Sequence, residues 1–442
     1  MAVYIPSTPS QRQKMLDAIG ISETGELYRD IPRELLCEDG SWSQPGKALL
    51  ETEREMAALA EENTVFGSVF RGAGAYRHYI PPIVADTVAK ETFLTAYTPY
   101  QAEISQGILQ SIFEYQTMIC QLTGMAASNA SVYDGATAAA EAVAMCRDRK
   151  RSKALVSASA HPDVIETIKT YCWAADAEME LIPCKDGAAD LDALEEMLDD
   201  NTACVYIQQP SFFGIIENCQ RVAEIAHVKK AKFIMGINPI AAAVLKTPGE
   251  CGADIAVGEG QPLGMPMAYG GPYLGFMAAS SAMTRKLPGR IVGETHDNQG
   301  RRAFVLTLQA REQHIRREKA GSNVCSNQAL CAMTAAVYMA AMGAGGIRAA
   351  ALQSMSKARY LAERLDALGF RRIHSGEFFH EFVSFCPVDA AGLDAFLCGR
   401  GILGGLPVGG GILWCATEMN SRDDIDKLTA AVAEFMKKAV NS

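Results

Sequence analysis

A regular alternation of apolar, strand-like runs with helical stretches between residues 154 and 278 limits the folds open to this chain more than any other feature. Strands that alternate with helices form crossover units, which place successive strands parallel in one sheet and cover both of its faces with helices. The predicted strands are 154–159, 178–183, 203–208, 233–237, 255–257 and 274–278. The predicted intervening helices are 162–173, 191–198 (with Asp190 as its cap) and 221–229. The pattern predicts an α/β domain with a mainly parallel sheet.

The regions on either side of this alternation have different patterns. Residues 1–90 are rich in charge and helix-forming sequence, with a helix predicted at 46–62, and they predict a helical arm or cap. A further helix is predicted at about 103–123, where Gly124 would end it. The predicted elements after residue 320 are a long helical region, strands at 382–385 and 413–416, and a helix at 423–439. We therefore predict three domains: an arm (1–90), a large α/β domain (91–320) and a smaller α+β domain (321–442).

Charge and cysteine content narrow the function classes. The net charge of the 442 residues is −10, which argues against nucleic acid as a partner because binding a polyanion requires Lys and Arg to displace counterions. The 13 cysteines form no CxxC pair and no Cys/His cluster of zinc-like spacing, so we expect free thiols in a reducing, cytoplasmic compartment and no metal site. The first residues lack the basic start and apolar core of a secretory signal.

Residues 329–347 carry no charge and are long enough to span a membrane. They consist mostly of Ala, Met and Gly, which gain little from contact with lipid. This composition favours a buried interdomain or interface helix over a membrane span.

A turn of small residues precedes an Ala-rich helical stretch near residue 135, with Asp134, Gly135 and Thr137 at the turn. The free backbone N–H groups of such a helix start suit a phosphate group. An ordinary helix cap by Asp134 or Thr137 is the alternative explanation.

Polar residues also follow several predicted strands. Asn238 follows the strand at 233–237, where it could bind a ligand or simply tolerate the turn before Pro239. His161 follows the first strand of the alternation and could stack on an aromatic ring or cap the next helix. Gln261 lies between the strand at 255–257 and a glycine-rich loop.

Two further segments are polar enough to contact a ligand or another subunit. The proline turn at 95–107 contains Tyr97, Tyr100, Gln101 and Glu103, which could line a pocket or a subunit contact. Residues 311–319 alternate basic and acidic side chains at helical spacing, which favours a solvated helix face over an anion site. Walker, GxGxxG, HExxH and GxSxG motifs are absent from the sequence.

Taken together, these segments resemble the glycine dehydrogenase (decarboxylating) family, the P-protein of the glycine cleavage system. Within that family, the chain is similar to the amino-terminal half in organisms that split the protein into two subunits. The resemblance runs from the first ten residues to about residue 350. The segments that carry it are 4–8, 72–82, 95–107, 113–120, 129–138, 257–261, 269–276, 309–319 and 322–325.

The resemblance implies a fold-type-I pyridoxal phosphate (PLP) transferase-like architecture, duplicated in two related subunits. Alignment with the partner's cofactor segment places the PLP lysine of the partner on Gln261, whose amide cannot form a Schiff base. The family pattern has an acidic residue where this chain has Asn238, which cannot supply a charge to the pyridine nitrogen. PLP is therefore expected on the partner, with none covalently bound to this chain. The implied vestigial pocket consists of Asp134, Gly135, Thr137, His161, Asn238 and Gln261.

The resemblance also implies the activity and the partners. With a PLP-carrying subunit 2, in two copies of each, the chain would decarboxylate glycine, release CO2 and transfer the aminomethyl group to the lipoyl group of H-protein. Tyr97, Tyr100, Gln101 and Glu103 are the candidates for lining the cleft or substrate path, and no membrane is implied. The alternatives are an autonomous PLP enzyme that uses another lysine, Lys246 being the nearest, and a non-catalytic scaffold subunit.

Overall fold

The computed structural model describes residues 7–36, 45–268, 270–320, 322, 324 and 327–440. The chain divides into two compact units, Met1–Thr64 and Val65–Ser442. The predicted boundaries at residues 90 and 320 stay predictions. The described helices are α1 (Pro9–Ile19), α2 (Leu49–Glu61), α3 (Pro82–Val88), α4 (Glu91–Leu94), α5 (Gln106–Thr123), α6 (Gly135–Cys146), α7 (Pro162–Ala174), α8 (Leu191–Met197), α9 (Cys219–Val228), α10 (Gln313–Arg316), α11 (Ala329–Asp366), α12 (Ala390–Cys398) and α13 (Arg422–Val440).

The strands are short and lie in the second unit. They are β1 (Ser68–Val69), β2 (Ala127–Ser128), β3 (Lys153–Ser157), β4 (Met179–Ile182), β5 (Cys184–Lys185), β6 (Ala188–Ala189), β7 (Thr202–Gln209), β8 (Lys232–Ile237), β9 (Ile255–Glu259), β10 (Gly275–Ala279), β11 (Ile291–His296), β12 (Arg302–Thr307), β13 (Glu381–Phe385), β14 (Ile402–Leu403), β15 (Leu406–Val408) and β16 (Gly411–Cys415). All six strands predicted between residues 154 and 278 are present, with small shifts at their ends.

In the first unit, α1 is well capped at both ends. The Thr8 hydroxyl accepts a hydrogen bond from the Gln11 N–H at 3.3 Å, and Pro9 occupies the first helical position. Gly20 ends the helix with φ at 76°, a conformation that glycine adopts without strain. The helix α2 confirms the prediction at 46–62.

The central sheet has the strand order β2-β10-β9-β8-β7-β3-β4. The five strands from β9 to β4 are parallel, whereas β10 runs antiparallel to both of its neighbours. Side chains along β8 alternate between two cores: Phe233 and Met235 pack on one face, and Ile234 packs on the other. This alternation follows from the pleat of a strand, and it confirms the prediction of a mainly parallel sheet covered on both faces.

Several local predictions about helix ends are confirmed. Gly124 ends α5 with φ at 68°. Asp190 caps α8 by accepting hydrogen bonds from the backbone N–H groups of Asp192 and Ala193. These features depend on neighbouring residues only, which is why the sequence predicts them.

The long apolar helix α11 is broken at Gly343, where φ is 59° and ψ is 174°. By length and composition it could cross a membrane. In the structure, Ala332, Ala335 and Tyr338 pack into the core on one face of the central sheet, and Leu361 and Leu365 pack into the C-terminal core. This packing agrees with the prediction of a buried helix.

A small antiparallel sheet with the order β13-β16-β15 lies in the C-terminal part, and α12 and α13 contribute to its apolar core. Its strands β13 and β16 and the helix α13 were all predicted. The β11–β12 hairpin was not predicted, and neither was β1, which pairs in parallel with β14. β1 and β14 are two residues long, too short for an apolar run, and β11 mixes apolar with polar residues. β12 has an apolar run at 303–306, which the prediction overlooked.

Candidate functional site

Gln261 lies just beyond the carboxyl end of β9, with only 1% of its surface exposed. Its amide oxygen accepts a hydrogen bond from the Tyr76 N–H at 2.9 Å. Its amide nitrogen donates to the Tyr76 carbonyl at 2.9 Å and to the Met265 carbonyl at 2.8 Å. The amide therefore pairs with the Tyr76 backbone in both directions, much as a neighbouring strand would.

This pairing requires a side chain that both donates and accepts. A lysine can only donate, so it would leave the Tyr76 N–H without an acceptor. Gln261 thus fastens residues 72–80 (the 72–80 segment) to the loop after β9. Its polar atoms are used within the chain.

The 72–80 segment also covers His161, which lies at the start of α7. The His161 Nδ1 accepts a hydrogen bond from the Asp163 N–H at 3.1 Å, so the ring caps α7. Its Nε2 lies 2.9 Å from the Ala73 carbonyl, to which it donates because Nδ1 is the acceptor. The ring meets Phe212 edge-on with centroids 5.1 Å apart. The predicted cap is present, whereas the ring meets Phe212 of this chain edge-on and does not stack on it.

The side-chain oxygen of Asn238 stabilises a turn in this chain. It accepts hydrogen bonds from the N–H groups of Ile240 at 2.9 Å and Ala241 at 3.1 Å. Both bonds stabilise the 3-10 turn Ala241–Ala243 that follows β8. The structure therefore confirms the turn explanation for Asn238.

The start of α6 is capped, as the alternative to phosphate binding predicted. Asp134 accepts a hydrogen bond from the Thr137 N–H at 2.7 Å. The first helical N–H, that of Gly135, donates at 2.9 Å to Glu259 Oε2. Two carboxylates therefore occupy the helix start, and both come from this chain.

Glu259 is a site residue that the sequence reasoning did not single out. Burial raises the pKa of its carboxyl to about 7, although three backbone N–H groups that donate to it oppose this shift. An acidic residue at the end of a buried strand, two positions before Gln261, was the available signal. It was missed because Gly135, the partner that links it to α6, is 124 residues away in the sequence.

A second buried carboxylate fixes the other side of the 72–80 segment. Glu381 accepts hydrogen bonds from the Ala73 N–H and from the Tyr76 hydroxyl, both at 2.7 Å. Burial raises the pKa of Glu381 to about 7. His78 contacts Glu418 at 2.8 Å. The 72–80 segment is therefore held by hydrogen bonds to Gln261 on one side and to Glu381 and Glu418 on the other.

The proline turn at 95–107 lies on the surface. Tyr97 is 88% exposed, and Gln101 and Glu103 are also exposed. Tyr100 lines a cavity of about 430 Å³ together with Arg290, His314 and Arg317. The Arg290 guanidinium donates to the Tyr100 hydroxyl at 3.1 Å and lies 5.3 Å from the ring centroid. Of the four predicted cleft residues, the structure places only Tyr100 in this cavity.

Residues 311–319 do not form the single surface helix that their spacing predicted. The four-residue helix α10 lies between two 3-10 turns, Gln309–Arg311 and Arg317–Lys319. Arg317 has φ at 54°, which an α-helix does not accommodate, and α10 ends just before it. The ion pair within the described part of this stretch joins His314 to Glu312 at 3.6 Å.

Lys246, the lysine named for an autonomous enzyme, is exposed and donates to Gln220. The cysteines of the described residues are free thiols. Parts of three motifs fall outside the described residues: 4–6, Tyr269, Asn323 and Cys325.

Comparison with known proteins assigns the chain to a family. A family model described as "Glycine cleavage system P-protein" matches residues 2–402. The chain belongs to that family. A P-protein-family relative from Carboxydothermus hydrogenoformans, "Probable glycine dehydrogenase (decarboxylating) subunit 1", is 49% identical over 383 residues, covering 86% of each chain. A relative of the same name from Desulforamulus reducens is 47% identical, covering 97% of this chain and 98% of its own.

Solved structures place this P-protein-family chain among the fold-type-I PLP enzymes. A glycine decarboxylase (P-protein) of the glycine cleavage system, crystallised in inhibitor-bound form, is 40% identical with a TM-score of 0.86. It covers 98% of this chain, and this chain covers all of it. A cysteine desulfurase from Thermococcus onnurineus NA1 is 16% identical with a TM-score of 0.64, covering 89% of this chain and 100% of its own, and it shows the fold alone.

Proposed function

We propose that this chain is the cofactor-free subunit of a split glycine decarboxylase. With a PLP-carrying partner subunit, in two copies of each, it decarboxylates glycine and passes the aminomethyl group to lipoylated H-protein in the cytoplasm. The observation that carries this proposal is Gln261. The resemblance aligns it with the family's cofactor lysine, and its amide is committed to the chain's own backbone.

The residues around Gln261 also support a cofactor-free subunit with a PLP-carrying partner, because they do not fit PLP. The position lacks an amine that could bind the cofactor. The Asn238 oxygen is used by a turn and carries no charge to pair with a pyridine nitrogen. The start of α6 holds Glu259 where a phosphate would need free N–H groups. PLP itself supplies an electron sink for a carbanion when it is bound, and we assign that role to the partner.

The exposed turn at 95–107 supports contact with a partner. Tyr97 is 88% exposed and Ile104 is 80% exposed, so two large apolar side chains stand in water on one short turn. Exposed aromatic and aliphatic residues of this kind mark protein interfaces. We assign Tyr97, Tyr100, Gln101 and Glu103 to the wall of the cleft or of the substrate path between the subunits.

The cofactor assignment predicts that this chain does not bind PLP covalently. After incubation of the full-length chain with PLP and reduction with borohydride, we expect peptide mass spectrometry to find no stoichiometric pyridoxyl-lysine. The chain co-purified with its partner should show the adduct on the partner only, together with glycine decarboxylation. A stoichiometric adduct on one lysine of this chain, such as Lys246, would instead support an autonomous enzyme.

The cleft assignment predicts a loss of turnover without a loss of assembly. We expect the double variant Tyr97→Ala, Gln101→Ala to lower the turnover of the assembled subunits by about tenfold, which corresponds to roughly 1.4 kcal/mol in the barrier. Assembly is measured by size-exclusion chromatography with light scattering. Trp173→Ala is a matched control, because Trp173 is 82% exposed on α7, outside this turn. Unchanged turnover in the double variant would favour a passive scaffold.

A further inference from the structure

The helix α6 begins at Gly135 and runs for 12 residues. The first turn of a helix has backbone N–H groups without partners inside the helix, and the helix dipole places partial positive charge there. Such a start binds phosphate groups readily when small residues allow close approach. In this chain the Gly135 N–H donates at 2.9 Å to the side chain of Glu259.

The carboxylate of Glu259 is held from three directions. Oε2 accepts a hydrogen bond from the Gly135 N–H. Oε1 accepts hydrogen bonds from the N–H groups of Gln261 at 2.9 Å and Leu274 at 3.2 Å. These donors belong to the start of α6, the loop after β9 and the residue before β10. Among the contacts of the described residues, Glu259 has no Lys or Arg as an ion-pair partner. The backbone N–H groups alone provide an anion cradle, as they would for a phosphate.

The start of α6 and the end of β9 lie in close contact beside the cradle. A Cβ atom on Gly135 would lie 2.8 Å from the Glu259 nitrogen and 2.9 Å from its Cβ, so the helix start and the end of β9 already touch. Asp134 stands beside them and uses its carboxylate to cap Thr137. A phosphate entering here would meet two carboxylates at close range, and like charges repel strongly where water is excluded.

We propose that Glu259 is a built-in anion that occupies the phosphate cradle of α6 and keeps phosphate-bearing ligands out of this subunit. When ionised, the carboxylate supplies the negative charge that the helix start favours, and it accepts hydrogen bonds from N–H groups that would otherwise be left without partners. A subunit with this fold thereby stays well formed without a cofactor. The inference rests on the proposed function for its biological meaning, but phosphate binding by the chain and turnover of the assembled subunits are separate measurements, so either can fail alone.

The test measures binding of inorganic phosphate, and then of PLP, to the full-length chain by isothermal titration calorimetry. We expect no saturable phosphate binding by the natural chain. Glu259→Ala should bind phosphate at least about tenfold more tightly than the natural chain does, and it should gain thermal stability when phosphate is added. Glu217→Ala is the matched control, because Glu217 is another buried carboxylate and accepts hydrogen bonds from Ser159 and Ala189, neither of which belongs to α6. The control should gain no phosphate binding.

Two results would overturn the proposal. One is saturable phosphate binding by the natural chain with the same affinity as Glu259→Ala. The other is a folded Glu259→Ala variant that binds phosphate no better than the natural chain. Should Glu259→Ala fail to fold, crystals of the natural chain grown in phosphate decide the matter. Density for the Glu259 carboxylate at the Gly135 N–H supports the proposal, and a phosphate there with Glu259 displaced refutes it.

Discussion

We expect the substitution Gln261→Lys to lower the free energy of unfolding by about 3 kcal/mol and not to create a PLP site. The expected loss has two sources. The Tyr76 N–H is left without an acceptor in a buried place, and an ammonium group must be buried where 1% of the side chain is exposed. Trp414, which is fully buried in the C-terminal core, is a fluorescence probe for urea unfolding of the Val65–Ser442 unit.

Gln101→Lys is the matched control for this prediction, because it makes the same chemical change at an exposed position. We expect it to alter the free energy of unfolding by less than about 0.5 kcal/mol. A Gln261→Lys variant as stable as the natural chain would show that the pairing with Tyr76 contributes little. A borohydride-stable PLP adduct at the substituted position would show that the lysine was the only missing part of a cofactor site.

Stability should fall as the pH rises from about 4.5 to about 7, because buried carboxyl groups must ionise. Burial raises the pKa values of Glu217 and Glu381 to about 7 from the usual value near 4.5. A pKa that is higher in the folded state means that the folded chain holds the proton more tightly. The corresponding stability is present below about pH 4.5 and is lost as the pH passes through about 7. Each group accounts for a change of about 3 kcal/mol.

The contribution of one group is measured by comparing pH profiles of unfolding. Relative to the natural chain, Glu381→Gln should gain about 3 kcal/mol between pH 4.5 and pH 8, because it has no carboxyl group to ionise. Glu377→Gln, at a side chain that is 76% exposed, is the control and should follow the natural profile. If Glu381→Gln and the natural chain have parallel profiles, Glu381 does not ionise in this range.

The secondary structure of the α/β region was predictable because its causes are local. Apolar runs bounded by turn residues defined the strands of the central sheet, and Gly124, Asp134 and Asp190 defined helix ends through their own backbone conformations and short-range hydrogen bonds. Residues 311–319 had the charge spacing of a helix, but the positive φ of Arg317 interrupted it. The hairpin β11–β12 was overlooked: β12 has an apolar run at 303–306, whereas β11 mixes apolar residues with Gly293, Glu294 and His296.

The candidate site was predicted in part. The sequence identified Gln261, Asn238, His161 and Asp134, and it supplied the correct alternatives of turn and cap for three of them. The role of Gln261 needed the structure, because its partner Tyr76 lies 185 residues away in the chain. Glu259 was overlooked for the same reason, since Gly135 is 124 residues distant.

The sequence by itself determined the α/β fold, the family and the absence of a lysine at position 261. Each of these depends on residue identity or on short-range pattern. Only the tertiary structure decided the contacts of the predicted vestigial pocket: Gln261 and Glu381 clamp the 72–80 segment, and the carboxylate of Glu259 lies at the start of α6. Buried polar groups must find hydrogen-bond partners wherever the fold brings them together, and that geometry is set by packing between distant parts of the chain.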